Sequence, residues 1–361
     1  MHWKRLPHLL DVRRWTRCRA LFRRPWRTHI GLSFVNRGAV PVTLKDGRTL
    51  AFSRAGRDHK FWDWFLTSSR IRENSATEDR DARILTNSAT EQLPSRRSPV
   101  PLEFTDDGLL RIRYAEATLL LRPGTTDFAI FEEIFLNDDY GVRTSPRRYG
   151  TVVDLGANVG LFSCAVLKRA QRVIAVEAVG ENHAQAVRNI AANGGNAADV
   201  LHAAVASRSG DEVRVFHNPR NTGGHSVSAE WTRRSEVGSR GSEVGPSTLN
   251  AQRSTLVCTI SLKDLLHGRR VSTVDLLKCD IEGAEYDVFA GADAATLGRI
   301  REIAMEVHVS PAHPPRLLKE LTARLRGHGF AVELQREISE SERIDSFLLT
   351  ATRKAAALRA A

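Results

Sequence analysis

The sequence predicts an α/β fold, a doubly wound and mostly parallel sheet preceded by a smaller β-rich region. Three observations predict it. An apolar strand ending at Asp154 runs into a glycine turn, Gly156 and Gly160, and then into a helical run. A second apolar strand lies in residues 274–285, VDLLKCDIEGAE, and ends abruptly in Lys278, Asp280, Glu282 and Gly283. Around these, strand and helix patterns alternate as far as Val309, which is the pattern of βαβ crossovers in a parallel sheet. Ligands of such sheets bind beyond the carboxyl ends of the strands.

Taken in order, residues 1–35 form a basic arm, and residues 36–126 a β-rich accessory region. In that region, strands at 40–44 and 49–52 flank Lys45, Asp46, Gly47 and Arg48, a hairpin turn with glycine. FWDWF at 61–65 supplies an apolar face, and further strands follow at 102–104, 109–114 and 117–121. Residues 70–98 are polar and contain NSATE twice, a composition that cannot support a core. We expect a flexible insertion there. Residues 127–352 form the main body, followed by a tail at 353–361. Phe128, Phe131, Ile134 and Phe135 have helical spacing, more suited to core packing than to covering a ligand. Helices are expected at 161–170, 181–193 and 315–326, and strands at 172–178, 200–206, 212–216, 255–262, 330–334 and 346–352. A second polar insertion at 235–254, expected to be flexible, carries SEVG twice and lies near the glycine-rich run 222–226.

Composition narrows the function classes. The chain has 361 residues, 42% of them hydrophobic, enough for a large core and a smaller unit. Cys18, Cys164, Cys258 and Cys279 are dispersed, which suits a reducing cytoplasm and suggests neither a zinc module nor a disulfide framework. No long apolar run predicts a membrane span or a secretory signal. The net charge is +11, but the first 30 residues hold nine Lys or Arg against Asp11 and leave only +3 for the rest. The body is therefore nearly neutral, and nucleic acid is not the expected partner. Trp3, Trp15, Phe22 and Trp26 accompany the basic residues, so the arm reads either as a loose tail or as a contact with an anionic membrane surface.

The glycine turn offers a ligand close backbone approach and the free N–H groups of a helix N-terminus. A dinucleotide site needs G-x-G-x-x-G, whereas here Gly156, Asn158 and Gly160 give G-x-N-x-G with Asp154 two residues before. That pattern suits S-adenosylmethionine, whose sulfonium and ammonium favour acids where a pyrophosphate favours amides. Glu177, ending the next strand, is placed to accept from ribose hydroxyls.

With VVDLGANVGLFS and DLLKCDIEGAEYDVFAG joined by VIAVEA, NIAANG, HAAVAS and TISLKDLL, the chain resembles the FkbM-type S-adenosylmethionine-dependent methyltransferases over about residues 131–352. The resemblance implies a class I methyltransferase fold, Rossmann-like, with a seven-stranded sheet whose last strand is antiparallel. It also implies O-methylation, with sugars, glycans or secondary metabolites among the acceptors. The acid-proline pair common after the second strand is Glu177-Ala178 here.

Methyl transfer to a hydroxyl needs alignment and a group to take the proton. Lys278, Asp280 and Glu282 share one strand parity and should emerge together. Asp280 is the expected acceptor anchor. Lys278 reads equally as a base with depressed pKa or as an ion-pair partner of Asp280, and His308, ending AMEVHV beside Glu306, as a structural residue, a base or a substrate ligand. One of Glu282 and Glu285 should cap the following helix. Asp280, Glu282 and His308 have the ligand types for a divalent metal, although their spacing does not demand one. The basic arm suggests RNA as an alternative substrate, yet D/N-P-P-Y is absent and Cys279 lacks a neighbouring proline. A noncatalytic cofactor-binding protein is the other alternative.

Overall fold

The computed structural model describes residues 102–217, 254–336 and 345–353, together with strands Ala39–Thr43 (β1) and Thr49–Ser53 (β2). The basic arm, the aromatic run 61–65, the first insertion, the glycine-rich run 222–226 and all but the last residue of the second insertion lie outside the described residues. The chain divides into two compact units, Met1–Phe135 and Leu136–Ala361. Among the described residues no helix is long and apolar enough to cross a membrane.

In the first unit β1 and β2 form the expected antiparallel hairpin, with Thr43 opposite Thr49. Leu102–Phe104 (β3), Leu110–Tyr114 (β4) and Ala117–Leu121 (β5) form an antiparallel meander. The short helix Asp127–Phe131 (α1) widens into a π-helical turn over Glu132–Asn137. The spacing that predicted one helix is thus satisfied by two geometries, and Phe128, Phe131 and Phe135 are all buried. Phe131 stacks on Phe135 at 5.6 Å while Tyr114 meets Phe131 edge-on at 5.7 Å, so these aromatics pack a core.

The second unit is built on Tyr149–Leu155 (β6), Leu161–Val166 (α2), Ala170–Glu177 (β7), Gly180–Ala192 (α3), Val200–His202 (β8), Ala204–Ala206 (β9), Glu212–Phe216 (β10), Ser254–Ser261 (β11), Leu262–Gly268 (α4), Leu276–Cys279 (β12), Glu285–Gly291 (α5), Ala294–Gly298 (α6), Glu302–Val309 (β13), Pro315–Gly327 (α7), Phe330–Arg336 (β14) and Asp345–Arg353 (β15). Seven strands form one sheet in the order β14-β15-β13-β12-β6-β7-β8. All run parallel except β15, which is antiparallel to both of its neighbours. This is the class I methyltransferase arrangement, Rossmann-like with an antiparallel strand near one edge.

The strand expected over 200–206 breaks at Ala203, so that β8 joins the main sheet and β9 a three-stranded sheet, β10-β11-β9. Helix α2 also ends sooner than expected, because Ala170 already begins β7. Both faces of the central strands are covered. Val153, Leu155, Leu277, Ile303 and Met305 pack with Leu265, Phe289 and Leu325 from the helices, which accounts for their nearly unbroken apolar runs. Strand order reverses between β6 and β12, and the register sets Lys278 beside Asp154. A crevice at the carboxyl ends of those two strands is where this topology places a ligand.

Candidate active site

Beyond β6 the chain turns sharply, with φ +75° at Gly156, +50° at Asn158 and +77° at Gly160. The Gly156 and Ala157 N–H groups donate to Val176 O at 2.9 and 3.0 Å, fastening the turn to the end of β7. From α3, the buried Asn189 donates its side-chain N–H to Val159 O at 2.8 Å. Glu177, also buried, accepts from the N–H of Asn158 through Oε2 and from that of Val179 through Oε1, both at 2.8 Å. Burial raises its pKa, and the two backbone N–H groups oppose that rise. Each carboxylate oxygen retains a lone pair beyond these bonds, so Glu177 both locks the turn and can accept further donors. The Asn158 side-chain oxygen is buried with no hydrogen-bond partner, as expected where a ligand completes the site.

Asp154 corrects the expectation of direct contact with a cofactor. It is fully buried beneath the turn, where Oδ2 accepts from the Ser163 hydroxyl at 2.7 Å and Oδ1 lies 3.5 Å from Lys278 Nζ. Its charge acts through the turn it supports. Lys278, likewise buried, donates to Gly156 O at 2.9 Å and lies 3.8 Å from Asp280 Oδ2. Of its two readings, the structure shows the ion pair, extended to Asp154 and the turn. Hydrogen-bonded to the turn and set between two carboxylates, the ammonium serves as a structural cation. Replacing Ser163 by alanine should cost about 1–3 kcal/mol, since it removes a hydrogen bond from a buried carboxylate. Urea unfolding would measure this, and an unchanged midpoint at equal slope would mean that the bond contributes nothing.

On the other side of the crevice, Asp280 has a side chain 26% exposed, with Oδ1 buried and lacking a hydrogen-bond partner. Burial pushes its carboxyl up to about 6, Glu306 adds to the rise, and Lys278 and His308 oppose it. For Glu306, burial also acts upward, but the hydrogen bond from His308 prevails and its pKa is lowered. Asp280 is therefore the member of the pair that takes the proton. His308 Nε2 lies 3.1 Å from Glu306 Oε1, and Nδ1 lies 3.6 Å from Glu285 Oε1. Burial would lower the imidazole pKa, yet the two carboxylates outweigh it and hold His308 well above the usual range. Both ring nitrogens thus face carboxylates, which is the structural reading of His308. The Tyr286 hydroxyl donates to His308 O at 3.0 Å.

Shared parity brings Lys278 and Asp280 together but not Glu282. Glu282 adopts φ +53° and Gly283 φ +97°, so the alternation ends at the turn. Neither acid caps α5, whose N-cap is Ala284 with no side-chain hydrogen bond; Glu285, its first residue, reaches back to accept through Oε1 from the N–H of Ile281 and Gly283 at 3.1 and 3.2 Å and so holds the turn before the helix. The group with metal-like spacing is Asp280, Glu306 and His308, whose ligand atoms lie within 4.8 Å of one another, so Glu306 replaces Glu282 in the expected set. With His308 aimed at two carboxylates, the arrangement is an ion-pair array. Cys279 is fully buried, and burial, reinforced by Glu285, pushes its thiol pKa well up, which removes it as a nucleophile.

Around the crevice, Asp154, Glu177, Asp280, Glu285 and Glu306 outnumber the cationic Lys278 and His308. This surplus of acid fits a cationic cofactor such as S-adenosylmethionine, and so do the free oxygen of Asn158 and the backbone of the turn. Sequence reasoning missed Ser163, Asn189 and the roles of Glu285 and Glu306. The parity shared by Glu306 and His308 was a usable signal, whereas the inward aim of Ser163 and Asn189 depends on helix packing.

Residues 154–332 match the family model described as Methyltransferase FkbM domain. The AMB antimetabolite synthetase AmbE of Pseudomonas aeruginosa is 28% identical over 239 residues, 58% of this chain and 11% of that protein. The 31-O-demethyl-FK506 methyltransferase FkbM of Streptomyces tacrolimicus is 39% identical over 79 residues, 22% of this chain and 28% of that protein. The chain thus spans a minor part of both relatives. A crystal structure of Methyltransferase FkbM from Methylobacillus flagellatus aligns with a TM-score of 0.35 at 14% identity, over 57% of this chain and 45% of that one.

Proposed function

The chain carries an FkbM-family methyltransferase domain, and on that premise we propose that it methylates a hydroxyl oxygen of a sugar, glycan or secondary metabolite, using S-adenosylmethionine. The observation that carries this reading is Asp280, a partly exposed carboxylate with raised proton affinity, ion-paired through Lys278 to the glycine turn. The relative whose name specifies an O-demethyl substrate supports oxygen as the acceptor atom.

S-adenosylmethionine, when bound, supplies an electrophilic methyl group. Gly156, Asn158, Gly160 and Glu177 would hold it, with Asp154 beneath them keeping the turn in shape. The work of the remaining residues concerns the acceptor. Asp280 is placed to accept the hydrogen bond of the attacking hydroxyl and to take its proton, a role worth roughly 10² to 10⁴-fold in rate. Lys278 fixes Asp280 relative to the turn and so aligns acceptor and donor. Glu306 and His308 bound the other side of the carboxylate, with His308 held by Glu285. We further propose, from its charge and aromatic residues alone, that the basic arm contacts an anionic membrane surface, with the enzyme in the cytoplasm or peripheral to the inner membrane surface. The match to a methyltransferase family model favours the enzyme over a noncatalytic binding protein.

Calorimetric titration with S-adenosylmethionine and NAD, followed by transfer of labelled methyl from the donor into cell extract, tests this reading. We expect binding of S-adenosylmethionine only, and label in a base-stable ether on a small molecule or glycan. Binding of NAD alone, or label confined to RNA, would overturn it.

A further inference from the structure

The segment preceding β6 holds an aromatic ring beside the glycine turn. Asp138, at φ +58°, accepts from the N–H groups of Arg143 and Thr144 at 2.8 Å each and from the Thr144 hydroxyl at 2.7 Å. Gly141, at φ +63°, donates its N–H to Asp138 O at 2.7 Å. Tyr140 lies between these two and is thereby fixed in a tight turn. Its ring meets Phe162 edge-on, with centroids 5.4 Å apart and planes at 74°. Phe162 is buried and is the second residue of α2, whose N-cap is Gly160. On the β12 side, Lys278 Nζ lies 6.0 Å from the Tyr140 centroid while donating to Gly156 O at 2.9 Å. One ring thus adjoins both elements that frame the proposed donor turn.

Tyr140 is only half-buried, unlike the phenylalanines of the first unit, so filling a core does not account for it. The face of an aromatic ring carries partial negative charge and attracts a cation placed within about 6 Å of its centroid. Lys278, held by Gly156 O and paired with Asp154 and Asp280, marks the limit of that range on the β12 side, so the ring stands beside the strand ends that carry the proposed donor site.

We propose that Tyr140 is a binding residue for the sulfonium of S-adenosylmethionine and makes the site prefer the charged donor over the neutral thioether S-adenosylhomocysteine. This rests on the proposed donor site at the glycine turn. Methyl transfer removes the sulfonium charge, so a wall selective for that charge holds the donor and loosens the product. It deepens the methyltransferase reading by assigning donor-over-product selectivity to a residue outside the motif-bearing strands.

The test is calorimetric affinity of the full chain for the two ligands, which needs no acceptor. Tyr140→Leu should weaken S-adenosylmethionine binding about 2- to 30-fold while S-adenosylhomocysteine changes less than about 2-fold. Tyr140→Phe, which keeps the ring, should preserve the wild-type ratio. Fluorinated phenylalanines at position 140 keep the ring's shape while draining its face of charge, so donor affinity should fall stepwise with fluorination as product affinity stays level. Equal loss of both ligands in Tyr140→Leu, or a flat fluorination series, would overturn the assignment and make Tyr140 a packing residue. A wild-type chain that binds neither ligand would instead overturn the proposed function, and Tyr140's role with it.

Discussion

Replacing Gly156 by alanine should weaken S-adenosylmethionine binding by more than about 100-fold, as measured by calorimetry. Two costs combine there. A Cβ on Gly156 would lie 1.8 Å from Asp280 O and 2.9 Å from Asp280 C, and the backbone sits at φ +75°. The left-handed backbone alone costs an alanine roughly 1–2 kcal/mol, but the clash is with main chain that no rotamer change can relieve. The ends of β6 and β12 must part. That movement pulls Gly156 O away from Lys278 Nζ and loosens the hold of Lys278 on Asp280, so donor and acceptor sides fail together. Gly210→Ala separates the two costs, because Gly210 has φ +90° and nothing within 4 Å of its added Cβ. It should lower the melting temperature slightly and leave S-adenosylmethionine affinity at the wild-type value. Equal effects of the two substitutions on binding would show that backbone strain, and not the contact between strand ends, governs the turn.

The strength of that contact explains what the sequence made legible and what it left hidden. The doubly wound, mostly parallel class of the sheet followed from alternation and from the two apolar runs, whereas its seven strands and antiparallel last strand were implied by the family resemblance. The glycine turn was legible because Gly156 and Gly160 are required by backbone shape whatever ligand binds. Parity correctly joined Lys278 to Asp280 and failed at Glu282, where positive φ ended the period-two pattern. The depth of each acid could not be read from pattern. Asp154 and Asp280 both follow apolar strands, yet one is fully buried and the other is 26% exposed at its side chain. Of the two, only Asp154 lies under a helix residue, Ser163 on α2, a contact set by how that helix packs. The pairing of Glu285 with His308 was hidden likewise, because it joins the start of α5 to the end of β13.

Asp280→Asn should reduce turnover on the true acceptor by roughly 10² to 10⁴-fold, the usual contribution of a general base, while S-adenosylmethionine affinity stays within about 3-fold of wild type. The amide keeps the shape of the side chain and its acceptor oxygen, but it cannot take a proton. In the wild type the carboxyl is held at about 6, so turnover should fall as pH drops through that value and the base becomes protonated. The residual activity of the Asn variant should lack this acid limb. The same group yields a stability signature that needs no acceptor. Folding raises the Asp280 pKa above its ordinary value of 3.8, so the folded chain binds this proton more tightly than the unfolded chain. By linkage, its contribution to stability is present at low pH and is lost as pH rises through about 6. Melting curves recorded from pH 4 to pH 7 should therefore show wild type losing stability relative to Asp280→Asn as the carboxylate ionises. Two parallel profiles would mean that the proton affinity of Asp280 is not raised. Unchanged turnover at neutral pH would remove it from catalysis and leave Glu306, the other carboxylate of that cluster, as the next candidate to receive the proton.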